Sequence, residues 1–414
     1  MLYRPIPALV FLVLLVLLVS GAGATTARIE ALGGLGDCLE DDANVLRWYG
    51  SLADYPDLAV LESGHFHLNH GYRAGGRETV SGPGAGIHSR LGRFGTGALY
   101  WHGKHSDADP GELLPSELEN TVTALFARAV AGVQVGLAFR YGSLDSKFLD
   151  PDALHFLPEE ITKKNRRIDV GAGVRFDVNE RTYVDVAGEV RLLRLDEYWR
   201  TPLDRIHDDE RESGGTYALR ARAFRRLTQN SALVVHSEYQ QLDAPVPVTQ
   251  YGEVPAANGE QVRVGTGWNW FPDPDRFLLA RFEYLYGESS VDSQVHFAWP
   301  YSHGWDVKWS SYRAGLAAES RLLPWLSLRA AWDWQYRSRT ETYFEPIDVW
   351  SGLAPAEAEG AVQFLQLGLG AHLGRYDLDL AVGEGLPTEP GGHMGTRWSG
   401  EAQDWITITL RAGI

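Results

Sequence analysis

Two sets of side chains in this chain could do chemistry. The first is histidine: His65, His67, His70, His88, His102 and His105 make up six of the 13 histidines and crowd one short stretch. In an extended segment His65-Phe66-His67 places two imidazoles on one face, and neighbouring strands can add a third ligand for a divalent transition metal. These six are the candidate metal ligands, with unliganded polar histidines on a strand rim as the alternative. Ser63 near His65 and Ser89 beside His88 raise an embedded lipid hydrolase, but adjacent strand residues point to opposite faces. Neither neighbour pair supplies a nucleophile and base with an orienting third group. No catalytic residue is assigned, and a non-enzymatic role is expected. Gly33, Gly34 and Gly36 are not followed by the Lys-Ser/Thr of a phosphate loop, so no nucleotide and no other cofactor is expected.

The second set is a ladder of arginines and carboxylates at alternate positions. One group comprises Arg175, Arg191, Arg220, Arg222, Arg263, Arg281, Arg313, Arg329, Arg337 and Arg411. The other comprises Asp169, Asp185, Glu189, Glu238, Glu283, Glu319, Asp333, Asp377 and Asp379. Ten cations face nine anions, none of them from the five lysines. A guanidinium stays charged and holds carboxylates with a planar fork. Between them stand apolar residues, as in Ile168, Val170, Ala172, Val174 and Phe176. Such a segment has one face suited to lipid and one that must be wet or densely paired. The nineteen charged residues are the candidate pore lining.

The elements that hold this ladder are strands. Alternation runs for nine to sixteen residues, stops at a turn and resumes, without changing to a helical period. The clearest hairpin joins Arg167 to Asp177 with Arg181 to Arg194. Further short turns fall at Leu227 to Asn230, Phe271 to Asp275, Leu322 to Trp325 and near Gly374. Long polar connections alternate with them: 143–165, 196–214, 244–259, 288–304, 341–359 and 385–400. With five weaker early strands (58–69, 85–92, 95–103, 119–130 and 133–142) and a last one over 402–413, the count is 16, with 14 the alternative. The fold class is all-β: an antiparallel transmembrane β-barrel with a short N-terminal plug-like segment. An even count with short turns on one side is the plan of bacterial outer-membrane barrels.

Composition agrees. Glycine supplies 45 of 414 residues, with 14 Trp and 18 Tyr, which suits a twisted barrel with aromatic rings at its interfaces. Trp332, Trp334 and Tyr336 on one strand, and Trp268, Trp270, Tyr284 and Tyr286 on two others, are the expected girdle. The chain opens with Arg4, an apolar run from Ala8 to Val19 and Ala22-Gly23-Ala24. This reads as a cleavable signal peptide over 1–24, with a retained anchor as the alternative, and hence a Gram-negative outer-membrane location. No later run is long enough for a membrane helix. Residues 25–57 form a periplasmic or plug segment and 58–414 the barrel. The net charge of −16 gives no basic stripe for nucleic acid. With a balanced ladder, the excess acid is placed in loops, where most acids are read as solvated, and in the N-terminal segment, which holds Asp37, Glu40, Asp41, Asp42, Asp54 and Asp57. Lone Cys38 cannot form an internal disulfide and is read as a buried thiol.

Ala31-Leu32-Gly33-Gly34 followed by Asp41-Asp42-Ala43-Asn44-Val45 resembles the opening of outer-membrane barrels of the long-chain fatty-acid transporter group and their secretion-associated relatives. Where that pattern continues Asn-Pro-Ala, this chain has Trp48-Tyr49-Gly50-Ser51-Leu52-Ala53. The resemblance implies 14 strands, a hatch in the lumen and passage of hydrophobic molecules; the charged ladder points instead to a polar path. The expected function is therefore an outer-membrane channel or transporter for small or hydrophobic solutes, partly plugged by its N-terminal segment. Its expected partners are outer-membrane lipid and lipopolysaccharide, the barrel-assembly machinery, and a hydrophobic or small polar solute. The alternative is a structural or assembly barrel that anchors a surface or secretion partner and conducts little.

Overall fold

The computed structural model describes residues 26–34, 36–63, 66–67, 84–103, 105–106, 117–118, 120–150, 159–200, 210–245, 256–294, 302–344, 356–387 and 405–414. The signal peptide expected over 1–24 lies outside them. Sixteen strands make one closed antiparallel sheet. They are β1 Leu58–Glu62, β2 Gly84–Arg90, β3 Thr96–His102, β4 Asn120–Val130, β5 Val133–Asp150, β6 Glu159–Asn179, β7 Thr182–Arg200 and β8 Glu210–Thr228. The second half comprises β9 Ser231–Pro245, β10 Ala256–Asp273, β11 Arg276–Gln294, β12 Ser302–Leu323, β13 Leu326–Phe344, β14 Ala356–Leu373, β15 Tyr376–Pro387 and β16 Trp405–Gly413. Each strand pairs with its sequence neighbours, and β16 closes on β1 in the register Leu58↔Gly413 to Glu62↔Thr409. Closure removes every sheet edge, the condition for a sheet to cross a bilayer. The count is the sixteen given by the alternation, not the fourteen implied by the resemblance.

Even residues of β6 and β7 face outward: Val170 is 53% exposed against 3% for Asp169, its neighbour in sequence. On β11 the outward face stays apolar through Leu278, Phe282 and Tyr286 before Glu288. That is the reach of about 9–11 residues a tilted strand needs to cross the hydrocarbon. At this level the Tyr286 hydroxyl donates to Glu288 at 3.0 Å, Tyr336 to Glu359 at 2.8 Å and Tyr239 to Glu260 at 3.1 Å. Rings against the apolar belt with hydroxyls on acids form one side of an interfacial girdle. Trp332 departs from the expectation. β13 continues to Phe344, so Trp332 pairs at mid-strand with Leu316 and Leu365 and belongs to the belt.

The turns fall where expected, at Glu180–Arg181, Gln229–Asn230, Pro274–Asp275, Pro324–Trp325 and Gly374–Arg375. The long connections are shorter than the sequence suggested. β5 and β6 pair as far as Asp150↔Glu159, and β7 and β8 as far as Glu197↔Glu210. Backbone ladders continue beyond the bilayer, where no apolar face is needed, so alternation ends before the strand does.

Candidate functional site: the barrel interior

Residues 26–55 lie inside the barrel at its short-turn end. Helix α1, Thr26–Ala31, rests on β13 to β16. The turn Gly36–Cys38 touches β9 and β10, and Tyr49–Asp54 packs on β3 to β7. The segment thus bridges opposite walls. At its contacts the inward residue is glycine: a Cβ on Gly136 would come within 2.2 Å of the Tyr49 carbonyl, on Gly171 within 2.4 Å of the Tyr49 ring, and on Gly368 within 2.4 Å of Ala31. Gly33 and Gly34 have φ of 91° and 69°, which ends α1 and turns the Gly33 carbonyl to accept from Arg281 at 3.2 Å and Arg313 at 3.0 Å.

All nineteen candidate lining residues occupy inward positions, and fourteen of them are buried. They form chains of ion pairs. Arg175 donates to Asp185 at 2.7 Å and Arg222 reaches the same carboxylate at 2.7 Å. Arg220 joins Glu189 to Glu238, and Asp333 accepts from Arg281 and Arg313. Arg329 bridges Glu319 and Asp379, and Arg411 lies 3.5 Å from Asp377. Removing one partner of such a buried pair typically costs about 3–5 kcal/mol, because the other charge is stranded.

The sequence tally omitted Arg140, Arg167, Arg339 and Glu62, although the expected strands 133–142, Arg167 to Asp177 and 58–69 contain three of them. Counting them, the wall carries thirteen arginines against ten carboxylates among the described inward positions between the mouths. The segment supplies the missing acid. Over residues 25–57 it holds two arginines against seven carboxylates. Asp54 pairs with Arg175 at 2.7 Å, Asp42 with Arg411 at 2.8 Å and Asp41 with the segment's own Arg28 at 3.2 Å; Arg28 also reaches Glu319 at 2.7 Å. Two of the acids placed in the segment are buried against the wall: Asp41 and Asp42 are both 2% exposed. Sequence reading also missed Arg47, which pairs with Glu238 and with Asp37 at 3.2 Å, and Tyr49, which donates to Glu189. It missed Trp48 too, whose ring carries Arg222 at 4.6 Å. Paired inward glycines, which leave space that something else must fill, were the available signal.

Cys38 is 2% exposed, packed against Gly267 and the Leu279 side chain's neighbourhood, and its thiol is pushed up to about 12 by burial. Asp41 and Asp42 are held above the usual carboxylate range. The first cause is burial; for Asp42 the second is the charge of Asp41, only partly offset by Arg411. At these two carboxylates the docked segment therefore binds protons more tightly than the free one, opposed by Asp37, which despite its burial Arg47 holds below the usual range. Docking is strongest below the ordinary carboxylate value of about 4 and weakens as pH rises through the raised one. Conductance measured from about pH 4 to about pH 8 should rise in the native protein and stay low and flat in Asp42→Asn. A fall with rising pH would contradict the sign.

The histidine set does not assemble as expected. His88 lies at the short-turn end of β2, fully buried, with Nδ1 2.6 Å from the Tyr55 carbonyl and Nε2 on the Tyr100 hydroxyl. His102 lies at the opposite end of β3, 3.9 Å from Glu62. Since Gly84, four residues before His88, pairs with His102, about 13 Å of strand separates them. Strand direction reverses between the two, so they cannot share one rim. His65 and His70 lie outside the described residues, as do the side chains of His67 and His105. No group of metal-ligating side chains occurs among the described residues.

Beside the segment the short-turn mouth keeps a cavity of about 540 Å³, lined by Leu39 and Glu40 and by Tyr183, Phe224, Phe271 and Phe277 of the wall. A closed barrel with an apolar outer belt, an ion-paired interior and both barrel ends on the short-turn side defines an outer-membrane β-barrel. No protein-family model and no curated protein sequence matches the chain. Among solved structures it is similar to CdiB from Escherichia coli, with a TM-score of 0.50 at 10% identity, covering 86% of this chain and 63% of CdiB. The chain thus spans less than two thirds of that protein. It is also similar to a Pseudomonas aeruginosa FadL homologue (TM-score 0.46, 10% identity, 95% of this chain and 98% of the other). The Pseudomonas putida toluene transporter TodX follows at TM-score 0.43 and 11% identity, with 95% and 98% covered. At these identities the shared feature is the fold alone.

Proposed function

We propose that the protein is an outer-membrane channel for small polar solutes whose path is sealed near the periplasmic mouth by residues 25–57, with the nineteen inward charges as its lining. The reading rests on one observation: the segment touches β3 to β7, β9, β10 and β13 to β16 from within the same barrel. A 16-stranded barrel is wide enough for an aqueous channel unless something fills it. On the long-loop side of the segment the lining remains polar, with Gln240 and Gln261 opposite each other and Gln335 donating to Ser311 at 2.9 Å. That surface favours hydrated solutes over the hydrophobic ones implied by the resemblance.

Gly136→Val tests the seal. A side chain at that position meets backbone of Tyr49, which cannot rotate away, so the segment must leave the wall. Single-channel conductance should rise well above that of the native protein, while Gly188→Val, where the nearest atom is 3.8 Å from the new Cβ, changes nothing. A folded Gly136→Val protein with unaltered conductance would remove the segment from the conducting path.

A further inference from the structure

Every one of the seven short turns carries arginine. Arg90 and Arg93 flank the β2–β3 turn, Arg128 precedes β4–β5, Arg181 lies in β6–β7 and Arg225 and Arg226 precede β8–β9. Arg276 follows β10–β11, Arg321 precedes β12–β13 and Arg375 lies in β14–β15. All nine are exposed. The same rim holds five carboxylates, Asp57, Asp177, Glu180, Asp273 and Asp275, and the segment adds Glu40 at the mouth, so it is cationic in a chain whose formal charge is −16. Three arginines have a local acid: Arg90 lies 3.6 Å from Asp57, Arg276 3.0 Å from Asp273 and Arg321 3.7 Å from Asp275. Among the described residues, Arg128, Arg181, Arg225 and Arg375 have no carboxylate within ion-pair distance. The lysines among the described residues, Lys147, Lys163, Lys164 and Lys308, by contrast, belong to the long-loop half.

Beside these arginines the apolar belt ends in exposed Phe94, Val130, Val178, Leu227, Phe271, Trp325 and Leu373. Arg128, Arg225 and Arg276 alternate with inward neighbours and stand on the lipid-facing side. We propose that this ring is a collar for the phosphates of anionic phospholipid head groups in the leaflet facing the short turns. Three features select a leaflet over a soluble acidic protein: the collar runs around the whole circumference, it sits at the edge of the apolar belt, and it uses arginine. A planar head-group layer touches all seven turns at once, whereas a protein partner docks on one side. The arginine stem lies along the belt while its fork takes two phosphate oxygens.

The test is the lipid retained by the refolded protein after extraction from bilayers of phosphatidylglycerol and phosphatidylcholine in equal parts, compared with Arg128→Gln/Arg181→Gln/Arg225→Gln/Arg375→Gln and with the same four changed to lysine. Each cation near an anionic surface contributes about fivefold in local preference. In the native protein the ratio of retained phosphatidylglycerol to phosphatidylcholine should be about fivefold or more above the bulk ratio, with the glutamine variant near bulk and the lysine variant between them. All four side chains are exposed, and strand content by circular dichroism verifies that the variants fold. Retained lipid at bulk composition in the native protein, or enrichment unchanged by the glutamine substitutions, overturns the proposal. So does binding of polyglutamate to the native protein in neutral bilayers without any lipid enrichment, which would make the collar a dock for a soluble acidic chain.

Discussion

Deleting residues 25–54 should convert a quiet barrel into a steadily conducting one, with conductance higher by roughly tenfold or more, as expected when a barrel of this strand number is emptied. The deletion should also change selectivity. The described wall carries thirteen arginines against ten carboxylates between its mouths, and the segment that neutralises this excess leaves with Asp42 and Asp54, the partners of Arg411 and Arg175. The emptied lumen should therefore prefer anions, read as a reversal potential displaced toward that of chloride in a KCl gradient. Arg47 leaves Glu238 and Arg28 leaves Glu319 with the segment, but the wall pairs Arg220–Glu238 and Arg329–Asp379 keep both partners, so the barrel itself should remain folded. Conductance that stays low after deletion, with folding verified, would favour a barrel that anchors a partner. An opened pore that prefers cations would contradict the charge count.

Replacing Trp332 and Trp334 together with arginine should abolish membrane insertion. Trp332 lies at mid-strand between Leu316 and Leu365 and is 40% exposed to what becomes lipid. An arginine on the lipid face near the midplane costs about 2–4 kcal/mol, and the lost indole adds to it. The comparison is Gln335→Ala, one residue further along β13, which faces inward and loses the bond it donates to Ser311 and the one it accepts from Arg337. The protease-protected fraction in vesicles should collapse for the tryptophan variant and be nearly native for the glutamine variant. The opposite pattern would reverse the assignment of the two faces.

These two predictions draw on different sources. Facing was legible in the chain because a strand has a period of two: once Val170 and Asp169 lie on one strand, only one of them can meet lipid. The same rule located the turns and the sixteen strands, and it read the inward charges of β6 to β16 with few omissions. It did not show where strands end, since pairing such as Asp150↔Glu159 continues in water without an apolar face. Nor did it place His88 and His102, whose separation depends on which way β2 and β3 run.

What the amino-acid sequence by itself determined is the membrane barrel, because alternation of apolar and charged residues admits no other way of burying one face in lipid while pairing every backbone group. What only the tertiary structure decided is the filling of that barrel. Nothing in the sequence joins Asp42 and Asp54 to their arginine partners, because these are remote in sequence, Arg411 being nearly the whole chain away from Asp42. Gly136 and Gly171 looked like gaps because the Tyr49 that fills them comes from a segment without strand periodicity. Contacts set by closure of the sheet have no local signature, and they are the contacts that decide whether this barrel is open.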